Sequence, residues 1–128
     1  MSLHKSTAHF ADRCPIRDVL DRLGDRWTTL VLLTLEEGGT LRFSQLKARI
    51  EDISQRMLAQ TLRRLEQDGL VSRTVHATVP PRVDYTLTPL GQSFMAPVHG
   101  LIRWAGDHHE QVRTARQAYV APVAMAAK

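Results

Sequence analysis

Arg56, Gln60, Arg63 and Gln67 recur at spacings of four, three and four. On an α-helix that spacing gathers two guanidinium and two carboxamide groups on one face. Such groups suit the edges of DNA bases. Arginine donates a fork of hydrogen bonds to guanine O6 and N7, and a carboxamide pairs with adenine N6 and N7. The same residue types also make an ordinary solvated helix surface. Choosing between the two depends on the elements that position them.

The stretch from Ser54 to Val71 carries its own helix signals. Ser54 is a good N-cap, because its hydroxyl can accept from a free N–H of the first turn. Gly69 suits the left-handed residue that closes a helix. Leu58, Leu62 and Leu65 line the face opposite the arginines and predict its burial. Upstream, Thr40-Leu41-Arg42-Phe43 reads as a short extended piece. Ser44 is then the expected cap of a helix from Gln45 to about Ile50, with Leu46 and Ile50 buried, and Glu51-Asp52-Ile53 makes the brief connection. Two short helices so joined form a helix-turn-helix. Downstream, the period switches to two over Leu70–Val75 and again over Arg82–Leu87. Pro80-Pro81 cannot pair in a sheet interior, so His76 to Pro81 form the tip of a hairpin. A hairpin directly after the second helix is a wing, and Arg82 beside its tip is placed for a phosphate or the minor groove.

The flanks complete the plan. Residues 1–12 show no apolar period and read as a flexible arm; 13–118 form the winged domain; 119–128 read as a flexible tail. Cys14-Pro15 opens a short helix with Ile16, Val19, Leu20 and Leu23 on one side, ended by Gly24. Asp25 caps a helix from Arg26 to Glu37, predicted to be buried nearly all round and to place Trp27 in the core. Gly38-Gly39 stops it. Thr88 and Pro89 start a long last helix running to about Ala118, with Pro97 and Gly100 as its bending points. Its stripe of Met95, Val98, Leu101, Ile102, Ala105 and Val112 outruns a single domain's core. A homodimer is therefore expected, with Ile16, Val19, Leu20, Val98, Leu101, Ile102, Ala105 and Val112 at its interface. The fold class is mainly α (α+β): a winged helix-turn-helix with a long C-terminal dimerisation helix.

Composition narrows the function classes. At 128 residues, 43% apolar and 23% charged, with a net charge of +4, the chain reads as one globular domain with a bias toward polyanions. No run of about 18 apolar residues predicts a membrane span, and the first residues lack the apolar run of a signal peptide. The single cysteine excludes an internal disulfide framework and fits a reducing cytoplasm. His108-His109-Glu110 suggests a metal, but helical neighbours point about 100° apart and do not share one ion easily. There is no Gly-rich phosphate loop, no Ser-His-Asp ordering and no carboxylate pair in an apolar setting. Neither an enzyme nor a cofactor is expected.

Three runs then become specific together. Cys14-Pro-Ile-Arg17 followed by Leu23-Gly-Asp-Arg-Trp-Thr28 resembles the opening of HxlR-type winged-helix regulators. Ile53 to Val71 resembles their recognition helix, and Val79 to Gly91 their wing and the helix start after it. The resemblance spans about residues 13–112. It implies a bacterial or archaeal, MarR-related regulator that binds promoter DNA as a homodimer. It also implies, as in some similar regulators, that Cys14 is a sensor of oxidants, quinones or aldehydes. Arg13, Arg17 and the helix start would favour its thiolate; a small buried thiol is the other reading. The expected contacts to double-stranded DNA are Gln45 and Lys47 on phosphates, with Lys5 or Arg42 nearby. Ser54, Gln55, Arg56, Gln60, Arg63 and Arg64 come from the recognition helix, and Arg82 from the wing. Two other readings stay open: a regulator with a non-covalent small-molecule effector held near Trp27, Phe43 or Trp104, and a winged helix whose arginine face binds an acidic protein.

Overall fold

The computed structural model describes Arg17, Asp21, Arg22 and residues 24–122. The expectations for the arm, Lys5, Cys14, Ile16, Val19, Leu20, Leu23 and residues 123–128 lie outside them. The described chain divides after Met95 into two compact units.

In the first unit, helix α1 (Arg26–Gly38) is followed by strand β1 (Thr40–Arg42) and helix α2 (Phe43–Arg49). Helix α3 (Gln55–Gln67), strands β2 (Val71–His76) and β3 (Arg82–Leu87), and helix α4 (Pro89–Ala118) come next. The strands form one antiparallel sheet in the order β1-β3-β2. Leu41 and Arg73 both lie opposite Tyr85, Val71 opposite Leu87, and His76 opposite Arg82. The long helix α4 begins in the first unit, includes Pro97 in its interior and ends at the expected Ala118.

Local chemistry accounts for the helix ends. The Asp25 carboxylate accepts from the Trp27 N–H at 3.0 Å and so caps α1. Ser54 Oγ accepts from Met57 N–H at 3.0 Å and caps α3. At the far end of α3, Gly69 takes φ +79°, Gly69 N–H donates to Glu66 O and Leu70 N–H donates to Leu65 O. Those two bonds make a Schellman closure. They also engage the Leu70 amide, which is why β2 starts one residue later than the alternation predicts. Thr88 Oγ1 accepts from Gly91 N–H at 3.0 Å and donates to Gly69 O at 2.6 Å, joining the start of α4 to the end of α3.

Two expectations are corrected. Ser44 is not the cap of α2. Arg42 is extended at the cap position, and its N–H donates to Gln45 Oε1 at 2.8 Å, so the helix begins at Phe43, where β1 has just ended. Helix α1 is not buried all round. Thr28, Val31, Leu32 and Leu35 are buried, but Leu30 is 40% exposed. Trp27 is only half-buried and lies under the Arg26 guanidinium, 4.5 Å from the ring centroid.

The core of this unit joins those α1 residues to Leu41, Leu46, Ile50, Ile53, Leu58, Leu62, Leu65, Val71, Leu87 and Met95. Helix α1 packs on α2, α3 and the sheet, so the outward angle of α3 is set by its leucines. This is a winged helix-turn-helix.

Candidate nucleic-acid interface

Because Leu58, Leu62 and Leu65 are buried, the opposite side of α3 must face outward. Arg56, Arg63 and Gln67 are exposed there, and Gln60 is half-buried. Among the described residues, no ion pair engages Arg56 or Arg63. Two cations on an outward helix face without a carboxylate partner leave their donors to solvent or to a ligand.

Arg64 sits about 100° round the helix from Arg63, and its Nη1 lies 3.7 Å from the Asp25 carboxylate. It is turned toward the cap of α1. Near the end of α3, Arg22 makes a two-pronged contact with Asp68, donating from both Nε and Nη2. That pair ties the helix carrying Arg22 to the C-cap of α3. Neither Arg22 nor Asp68 stood out from the sequence, since nothing in it brings together charges 46 residues apart.

On α2, Lys47 is exposed, while Gln45 is exposed with its Oε1 occupied by the Arg42 N–H. Ser54 and Gln55 stand at the exposed start of α3. The five-residue turn Ile50–Ser54 contains Asp52 at φ +68°, a left-handed position that Asp tolerates better than most residues. Buried Ile53 pins that turn to the core.

The wing holds a charge cluster of its own. Asp84 accepts from or pairs with His76 Nε2 at 2.9 Å and lies 3.4 Å from Arg82 Nε. The ladder explains it: His76 lies opposite Arg82, and Asp84 is two residues along β3, on the same face of the sheet. Arg82 remains half exposed while paired with Asp84 beside the hairpin tip. Asp84 was not singled out by the sequence, because only the strand register brings it to both partners. The tip, residues 77–81, is exposed and contains a cis Val79–Pro80 bond.

In the second unit, Leu101 (54%), Ile102 (43%) and Trp104 (55%) are exposed on α4. Ala105 is exposed and Val112 half-buried, whereas Val98 is buried within the chain. Trp104 stacks on His108 with centroids 4.5 Å apart, and His108 Nδ1 lies 2.9 Å from the Trp104 carbonyl. Among the described residues, no group of three or more His, Cys, Asp or Glu is arranged to hold a metal ion. No helix among them is long and apolar enough to cross a membrane.

Comparison with known proteins agrees with this geometry. A sequence profile of the HxlR-like helix-turn-helix family matches residues 22–113. The chain is 47% identical over 95 residues to the HTH-type transcriptional regulator YtfH of Escherichia coli (strain K12), covering 74% of this chain and 75% of that one. The solved structure of the transcriptional regulator YtfH from Salmonella typhimurium superposes with a TM-score of 0.72 at 42% identity, covering 84% of this chain and 96% of that one. The redox regulator HypR in its reduced form gives a TM-score of 0.72 at 32% identity, covering 78% and 98%. These relatives are regulators rather than enzymes. The chain belongs to the HxlR-like helix-turn-helix family of transcriptional regulators.

Proposed function

We propose that the protein is a cytoplasmic homodimer that binds a specific operator and acts as a repressor. The observation that carries this reading is the outward face of α3, with Arg56, Gln60 and Arg63 uncommitted and a hairpin wing directly after it. Helix α3 enters the major groove, with Arg56 and Gln60 in its first half against base edges, as recognition helices present their N-terminal residues. Gln45, Lys47, Ser54 and Gln55 approach phosphates, and Arg82 on each wing meets the flanking minor groove or its backbone. Leu101, Ile102, Ala105 and Val112 supply the apolar surface that a second copy would cover. A two-fold reader doubles its contacts on a palindromic site.

The test uses a duplex selected by the wild-type protein from a random pool, alongside a shuffled duplex of equal length. Arg56→Ala is expected to weaken the selected duplex about 10- to 100-fold, corresponding to about 1–3 kcal/mol, and to narrow its advantage over the shuffled one. Undiminished selectivity, measured by fluorescence anisotropy, would contradict base reading by this face.

Cys14 is proposed as the input. The likeness to HypR, a redox regulator, supports this part of the reading, as do the flanking Arg13 and Arg17, which favour a thiolate. Diamide treatment of the wild type should change the affinity for the selected duplex at least several-fold, and Cys14→Ser should abolish that response. An equal response in the Cys14→Ser protein would remove Cys14 from the mechanism.

A further inference from the structure

A cleft of about 360 Å³ lies between α3 and the hairpin, lined by Ala59, Leu62, Arg63, Glu66, Arg73 and Tyr85. Its chemistry departs from the pattern of the strand that forms one wall. Val71 and Leu87 are buried opposite one another, so the same face two residues further along carries Arg73 opposite Tyr85. Alternation predicts an apolar side chain at position 73. An exposed arginine stands there instead, directly across from a half-buried tyrosine. Ala59, Arg63 and Glu66 form the facing stripe on α3, at spacings of four and three, and the small Ala59 side chain leaves the cleft open. Among the described residues, no ion pair within 4.0 Å engages Arg63, Arg73 or Glu66, and no hydrogen bond engages the Tyr85 hydroxyl. Two guanidinium groups and a phenol therefore converge on one space with their donors unspent.

We infer that this cleft seats the DNA backbone itself, with Arg63, Arg73 and the Tyr85 hydroxyl clamping a phosphate. The inference rests on the DNA-binding reading above. If α3 occupies the major groove and the hairpin the adjacent minor groove, the sugar–phosphate ridge between those grooves must pass between helix and hairpin. The cleft lies between the same two elements. A phosphate there meets two fork-shaped donors, the geometry in which arginine binds phosphate best. Arg63 then serves the backbone rather than a base, leaving sequence reading to Arg56 and Gln60. Glu66 is the one like-charged group in the cleft; it opposes the phosphate and limits how tightly the clamp closes on arbitrary DNA.

Salt titrations on the selected and shuffled duplexes separate these roles. A phosphate contact acts alike on every sequence, and its loss lowers the slope of log K against log salt by about 0.9 per contact. Arg73→Ala should weaken both duplexes equally, about tenfold at the same salt, lower the slope by about 0.9 for each protomer bound, and leave selectivity unchanged. Tyr85→Phe should weaken both several-fold at an unchanged slope, since it removes a donor and no charge. Glu66→Gln should strengthen both. Arg73 is exposed, so its removal should leave the melting temperature in place, and Arg73→Lys should retain most of the slope. Unchanged affinity and slope in Arg73→Ala, alongside lost selectivity in Arg56→Ala, would overturn the clamp and keep the base reader. A selectivity change in Arg73→Ala would overturn it in favour of a base contact. Wild-type protein that never distinguishes the two duplexes would bring down the DNA-reading assignment and the clamp with it.

Discussion

Gly91→Ala is expected to destabilise the fold by about 3 kcal/mol, at the upper end of what overpacking usually costs. A Cβ at position 91 would stand 2.1 Å from the Leu70 carbonyl oxygen. That oxygen cannot withdraw freely, because it accepts the Thr88 N–H at 3.0 Å. Thr88 in turn caps α4 and donates to Gly69 O, so a shift at Leu70 disturbs the closure of α3 as well. Alanine ordinarily gains about 1 kcal/mol over glycine inside a helix. Here the clash is with backbone, which has no rotamer to change, and the steric cost outweighs that gain. Urea unfolding at fixed protein concentration would measure the difference. A Gly91→Ala protein as stable as wild type would mean that α4 starts further from Leu70 than described.

Leu58→Ala is expected to cost about 2–5 kcal/mol, the usual range for truncating a fully buried leucine. Leu58 has no exposed surface and lies on the side of α3 that meets α1. Alanine would leave a cavity in a core whose other elements, α1 among them, are already fixed by caps and sheet pairing. Against a total stability of about 5–15 kcal/mol, such a loss is large. Thermal unfolding would show it as a lowered midpoint. Two positions earlier on the same helix, Arg56→Ala should leave the stability within about 0.5 kcal/mol of wild type and so barely move that midpoint, as exposed substitutions do. The pair separates the face that holds α3 from the face that reads DNA. Equal losses in both would mean that α3 is buried on both sides, and the outward face would lose its function.

The spread of legibility follows the range of the interactions. Ser54, Gly69, Asp25, Thr88 and Pro89 act on backbone groups within three or four residues of themselves. The starts of α1, α3 and α4 and the end of α3 could therefore be read in one dimension. The leucine spacing likewise settled which face of α3 turns inward, because helical geometry alone relates position to direction. Ser44 misled because a competing local device, the Gln45 side chain on the Arg42 N–H, closed the first turn of α2 two residues earlier. Trp27 misled because composition cannot tell which of several apolar side chains in one helix points to the rim. Arg73 opposite Tyr85, Asp84 between His76 and Arg82, and Arg22 on Asp68 depended on strand register and on the docking of distant segments. Caps, hydrophobic period and turn residues were enough to read the helix-turn-helix, the wing and the residues of the outward face along the chain. Which charges are already spent on one another and which still face open space emerged only from the folded arrangement, because partners dozens of residues apart meet through packing, and no local pattern encodes that.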